Sequence, residues 1–159
     1  MNGFLIIDKP EGWTSFDIVA KVRRITGIKK IGHTGTLDPM ATGVMVLMLG
    51  RTAKLLNYLQ DTDKRYTASV KLGARTDTLD KTGSIVATSQ RSVNIGDIKR
   101  ALAKFIGEIE QVPPMYSAVK KDGVRLYDLA RQGKEVHREK RKVRINSINL
   151  LSFDEQTRG

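Results

Sequence analysis

Phe4-Leu5-Ile6-Ile7-Asp8-Lys9-Pro10-Glu11-Gly12-Trp13-Thr14-Ser15-Phe16-Asp17-Ile18-Val19-Ala20-Lys21-Val22-Arg23-Arg24-Ile25-Thr26-Gly27 reads as strand, turn and helix in one continuous stretch. The apolar run Phe4–Ile7 predicts a buried strand, and Lys9-Pro10-Glu11-Gly12 ends it in a turn. Thr14 with Asp17 three residues on makes a capping box, Ile18, Val19, Val22 and Ile25 recur at helical spacing, and Gly27 supplies a left-handed stop. Downstream, Ile28 to Gly43 lacks periodicity and is read as a structured loop; Val44 to Leu49 is a fully apolar strand candidate, followed by a helix over about Thr52 to Leu59.

From Arg65 the pattern becomes strict alternation, with Tyr66, Ala68, Val70 and Leu72 opposed to Thr67, Ser69 and Lys71, which predicts a half-buried strand. Ile85 to Thr88 can pair back across the polar stretch Gly73 to Gly83. Asn94 with Asp97 caps a helix striped by Ile98, Leu102 and Phe105. Pro113-Pro114 interrupts, Tyr116 to Val119 reads as a strand, Val124 to Gln132 as a helix closed by Gly133, and a last alternating stretch begins near Val143. Strands and helices interleave without a repeated unit, which predicts a mixed α/β or α+β fold in one domain. A final strand candidate near Leu150 has no partner after it, so the expectation is a fragment or one piece of a larger assembly.

Twenty-eight Lys and Arg against 17 Asp and Glu leave a net charge of +11 over 159 residues, a balance that favours anionic partners. An apolar fraction of 40 % is enough for a core. There are no cysteines, which excludes disulfides, thiolate metal sites and Cys nucleophiles, and makes the cytoplasm the expected compartment. With only His33 and His137, a three-histidine metal site is excluded as well. Met1 to Asp8 lacks the basic start and long apolar core of a signal peptide, and no apolar run approaches membrane-spanning length. Chemistry here has to lean on carboxylates.

The informative segment is Gly32-His33-Thr34-Gly35-Thr36-Leu37-Asp38-Pro39-Met40-Ala41-Thr42-Gly43, in which three glycines and a proline crowd around one carboxylate. Such a loop lets the backbone turn tightly and fixes Asp38 in place. A positioned Asp can attack a sugar carbon, abstract a proton or stabilise an oxocarbenium-like centre. Taken alone, Leu-Asp-Pro is more often an Asx turn. Neither phosphate-loop pattern fits these glycines.

This segment resembles the signature loop of the TruB family of tRNA pseudouridine synthases. Other stretches agree in order and spacing: Leu5-Ile6-Ile7-Asp8-Lys9-Pro10, Lys64-Arg65-Tyr66, Leu72-Gly73-Ala74-Arg75-Thr76-Asp77-Thr78, Val112-Pro113-Pro114-Met115-Tyr116-Ser117-Ala118 and Leu126-Tyr127-Asp128-Leu129-Ala130-Arg131-Gln132-Gly133. The resemblance runs from about Gly3 to Ile148. It implies an α+β, pseudouridine-synthase-like fold, a mixed and largely antiparallel sheet flanked by helices. It also implies isomerisation of the T-loop uridine of tRNA, at the position conventionally numbered 55, without cofactor or metal, by a protein that is monomeric when complete.

On the same resemblance Asp38 is the catalytic carboxylate and Tyr66 the ring that stacks on the target uracil. His33 fills the space left by the flipped base. Thr36 and Arg65, with Lys120, Lys121, Arg138 and Arg141 of the basic stretches, complete the expected RNA-contacting set. Lys9, Pro10, Gly35 and Pro39 support the Asp loop, and Arg75 with Asp77 is expected in a charged network near the pocket. Without the resemblance, Tyr66 reads as an ordinary strand residue facing the core, His33 as a turn residue with a satisfied ring nitrogen, and Asp77 with Asp80 as solvated loop acids. The basic run Lys134 to Arg144 reads equally as a solvated face or a phosphate track.

The family's Ser-Lys-Gly-Thr-Tyr-Ile-Arg motif and its small C-terminal RNA-binding PUA domain have no counterpart here. The expectation is therefore an N-terminal portion of the catalytic domain, incomplete at its C-terminal side and inactive alone. The alternative is a non-catalytic tRNA-binding or tRNA-folding module; a magnesium nuclease built on Asp77 and Asp80 is the weakest reading.

Overall fold

Thr14 sets where the first helix begins. In the computed structural model, which describes residues 1–59, 63–115, 117, 120–121, 123–134 and 136–154, its hydroxyl accepts the Asp17 amide at 3.1 Å while the Asp17 carboxylate accepts the Thr14 amide at 2.8 Å. That reciprocal box opens α1 (Ser15–Thr26), which ends on Gly27 at φ 69° with its amide on the Arg23 carbonyl. The chain forms two units, Met1–Tyr66 and Thr67–Gly159.

In the first unit, β1 (Gly3–Lys9) pairs antiparallel with β3 (Gly43–Leu49), and β2 (Ile31–His33) pairs antiparallel with the other side of β3. The register sets Leu5 opposite Leu47 and Ile7 opposite Met45. Met45, Leu47 and Leu49 close over Ile18, Val19 and Val22 of α1 and Ile31 of β2, with Leu5, Ile7 and Ile28 packed against them. Each fully buried aliphatic side chain stabilises the unit by roughly 1.5–3 kcal/mol. A 3-10 turn (Gly50–Leu55) and a short α2 (Leu56–Leu59) follow.

Three readings of this half need correction. Phe4–Ile7 is not buried on both faces: Phe4 and Ile6 point outward and are largely exposed, as is Val44 on β3. The alternation of strand faces overrides the uniform hydrophobicity. Ile25 also lies outside the core, because α1 buries only Ile18, Val19 and Val22 of that stripe. And the predicted loop from Ile28 contains β2, too short and Gly-interrupted to show a period.

In the second unit, β4 (Ala74–Thr76) and β5 (Ile85–Thr88) form an antiparallel hairpin. α3 (Ile95–Ala103) opens on a second capping box, Asn94 with Asp97. β6 (Gly107–Gln111) pairs antiparallel with β9 (Arg141–Ile145), and β7 (Lys120–Lys121) with β8 (Val124–Arg125), which leads into α4 (Leu126–Arg131). Every strand pairing among the described residues is antiparallel. No helix among them is long and apolar enough to cross a membrane.

The alternating stretch from Arg65 to Leu72 is not a strand. It has no pairing partner among the described residues, and Tyr66 and Val70 are largely exposed. Alternation specifies two faces, but a strand also needs a neighbour for its amides and carbonyls. Ile85–Thr88 pairs instead with the nearer residues 74–76. β6 escapes pattern reading because its Gly-Glu-Ile-Glu-Gln carries one apolar residue, and Phe105, half exposed, lies beyond α3. Val124–Arg125 begins as strand before the helix, and the residues around Leu150 are not a strand. Of the Tyr116 to Val119 strand, Tyr116, Ala118 and Val119 lie outside the described residues.

Three loop and cap carboxylates lie below the ordinary aspartate range. Asp17 is lowered first by the Thr14 hydroxyl and then by the Thr14 amide. Asp80 is lowered first by the Thr82 hydroxyl. Asp97 is lowered first by the Asn94 amide, with the Arg100 guanidinium adding to it. A carboxylate whose folded value is depressed adds stability above its unfolded value, and loses it as pH falls through the folded one. The urea midpoint should therefore fall on acidification below about pH 4. In Asp17→Asn and Asp97→Asn variants the midpoint should start lower and depend less on pH over that window.

Candidate functional site

The parity of β1 carries Lys9 to the same face as Leu5 and Ile7, so its side chain enters the interior and is completely buried. No carboxylate among the described residues pairs with it there. Its ammonium donates to the carbonyls of Trp13 at 2.7 Å, Pro10 at 3.0 Å and Pro39 at 3.3 Å. The first two belong to the turn after β1, in which Gly12 adopts φ 84°, a value costly for other residues. The third belongs to the residue after Asp38. Gly12 adds its own amide to the Pro39 carbonyl at 2.7 Å.

Ser15, at the start of α1, holds the other flank. Its buried hydroxyl accepts the Leu37 amide at 2.9 Å and donates to the Leu37 carbonyl at 3.3 Å. Asp38 is thus bracketed by two pinned neighbours, and its own carbonyl accepts the Ala41 amide at 3.0 Å. The carboxylate itself is exposed and has no partner among the described residues. An acid held by its backbone and left free at its side chain is available to a ligand.

The glycines contribute less than their number suggests. Gly43, at φ 128°, needs its freedom, whereas at Gly35 a Cβ would meet nothing within 4 Å and the backbone is ordinary. The loop is held by hydrogen bonds from residues 9–15, which composition could not reveal. Ser15 in particular looked like any small polar residue at a helix start. Its only signal was its place next to the capping threonine.

His33 ends β2, half buried, with Nδ1 2.8 Å from the Gly35 carbonyl. A carbonyl only accepts, so Nδ1 carries a proton, and in the neutral ring Nε2 is left as an acceptor. Thr36 is exposed beside it, as are Arg65 and Tyr66 at the end of the first unit, Tyr66 to 70 %.

The second unit departs from expectation at Arg75 and Asp77. Asp77 Oδ1 accepts the amides of Thr78 and Ser84, both at 2.9 Å, so this carboxylate closes the β4–β5 turn instead of pairing with Arg75. Asp80 Oδ1 accepts the Thr82 hydroxyl at 2.6 Å, the Thr78 hydroxyl at 2.7 Å and the Thr82 amide at 2.8 Å. Both acids serve the turn.

The basic run sits beside acids. Lys140 meets Glu110 and Lys142 meets Glu108, each at 3.0 Å, and Arg141 places Nε and Nη2 on Gln111 Oε1 at 3.0 and 2.8 Å. These pairs are exposed and contribute at most about 1 kcal/mol each. A phosphate could displace such carboxylates at small cost. Arg138 leans on the Pro113 carbonyl at 3.4 Å. Lys120 and Lys121 form β7, and their side chains lie outside the described residues.

The family model described as "TruB family pseudouridylate synthase (N terminal domain)" matches residues 23–158. Proteins named tRNA pseudouridine synthase B from Clostridium novyi (strain NT) and Fusobacterium nucleatum are 50 % and 49 % identical over 154 and 153 residues. These alignments take in 97 % and 96 % of this chain, and 53 % of each relative. The chain therefore spans about half the length of the curated relatives it matches. Among solved structures, "Crystal Structure of a Cbf5-Nop10-Gar1 Complex" aligns with a TM-score of 0.60 at 25 % identity, over 96 % of this chain and 36 % of that one. The α+β fold is thus shared with a solved Cbf5 complex, and with a family model that matches residues 23–158, this chain belongs to the TruB family of pseudouridylate synthases.

Proposed function

We propose that this protein isomerises uridine in the T-loop of tRNA, at the position conventionally numbered 55, to pseudouridine, with Asp38 as the catalytic carboxylate. The observation that carries the reading is the Asp38 side chain, exposed and without a partner among the described residues, on a loop pinned at Leu37 and Pro39. The names of the relatives support the substrate class. In the reaction the bond from ribose C1′ to uracil N1 breaks, the base turns, and C1′ bonds to C5. The C5 proton leaves and N1 gains one, so no electrons are exchanged with any partner.

A uracil within a folded loop has to be extruded to reach Asp38, at a cost of a few kcal/mol in lost stacking. In this reading His33 occupies the vacated space, its ring oriented by the bond to Gly35, and the exposed Tyr66 ring stacks on the flipped base. Thr36, Arg65 and the basic residues Arg138 and Arg141 hold the backbone of the T-arm. In this reading the protein acts as a monomer in the cytoplasm, and residues 1–159 alone are inactive.

Release of tritium from tRNA labelled at uridine C5 tests this. The full-length protein should release it from the T-loop position, whereas residues 1–159 alone should release none. Tight tRNA binding without release by the full-length protein would leave only a binding module.

A further inference from the structure

We propose that Ser15 is a positioning residue for Asp38, an inference that rests on the catalytic reading of Asp38 given above. Its hydroxyl uses both of its capabilities on one residue, accepting the Leu37 amide at 2.9 Å and donating to the Leu37 carbonyl at 3.3 Å, and so touches the peptide units on both sides of Leu37. The residue is only 3 % exposed, so water does not readily replace it. The Pro39 side has two independent donors, the Lys9 ammonium and the Gly12 amide. On the Leu37 side, the side-chain anchor is Ser15 alone among the described residues. Without the hydroxyl the loop stays tethered at Pro39 and pivots there, and the carboxylate swings with it. A displacement of about 1 Å at a reacting group can cost on the order of a hundredfold in rate while substrate still binds.

The test compares Ser15→Val with Ser15→Thr in the full-length protein, two side chains of matched size that differ in the hydroxyl, with Ser15→Ala as a second hydroxyl-free variant that adds no bulk. In Ser15→Val and Ser15→Ala, kcat for tritium release should fall roughly ten- to a hundredfold with KM for tRNA unchanged. Ser15→Thr should keep most of the turnover. Hydrogen exchange of the Leu37 amide should quicken in the two hydroxyl-free variants and not at Ile18 or Leu47. Equal turnover in Ser15→Val and Ser15→Thr, or turnover in Ser15→Ala equal to the parent, would overturn the proposal. So would a loss confined to KM. Asp38→Asn in the same assay separates the two claims. If it turns over, the catalytic reading fails; if it is dead while Ser15→Ala matches the parent, only the positioning role fails.

Discussion

Asp38→Asn in the full-length protein should lower the rate of isomerisation by roughly 10³–10⁵-fold, the scale seen when a member of a catalytic set is removed, while tRNA affinity stays close to that of the parent. Asparagine matches aspartate in shape and lacks its charge and basicity. The folded chain should not notice the change, because the carboxylate is exposed and makes no hydrogen bond or ion pair among the described residues; stability should stay within about 0.5 kcal/mol. An activity loss without a stability loss is the signature of a group kept for chemistry. Turnover at the parental rate would remove Asp38 from the mechanism.

Lys9→Met should produce the other large effect, of a different kind. Lys9 buries an ammonium that pairs with no carboxylate among the described residues, and the carbonyls of Pro10, Trp13 and Pro39 balance its charge. Removing the charge ends the desolvation cost of a buried ion, several kcal/mol, yet withdraws three charge-assisted bonds of about 1.5–3 kcal/mol each. Pro39 keeps the Gly12 amide, whereas Pro10 and Trp13 lose this donor. The carbonyls win this balance, and we expect a net destabilisation of about 2–4 kcal/mol by urea denaturation, together with reduced turnover. Lys9→Arg should not restore either property, since a planar guanidinium cannot converge on three carbonyls in a space shaped for a compact ammonium. A Lys9→Met protein as stable and as active as the parent would show that the three bonds hold nothing in place.

Local signals in the sequence specify structure where a few adjacent residues settle the geometry. Thr14 with Asp17, Asn94 with Asp97 and Gly27 all act within one helical turn, and each capping device is present. The strand at Val44–Leu49 was legible because it is the centre of its sheet, flanked by β1 and β2. Structure that depends on partners far along the chain leaves no such local signal. The stretch from Arg65 shows the alternation of a strand but no partner among the described residues. β6 hides behind its glutamates because what makes it a strand is β9, more than thirty residues on. The site divides in the same way. Asp38 is singled out by the resemblance of its loop to a family signature, since Leu-Asp-Pro alone reads as a turn, whereas the contact of Ser15 with the loop is visible only when residue 15 meets residue 37.

The grip of residues 9–15 on residues 37–39 also bears on how changes in this protein combine. Lys9, Gly12 and Ser15 all act on one short peptide segment across 22 to 30 positions of sequence. Their substitution energies will not sum, because whichever is lost first alters what the others still restrain. Recombination between homologues that splits the two segments would mix turns and loops never selected together, so crossover points belong outside 9–39, and natural variation should travel across it as a block.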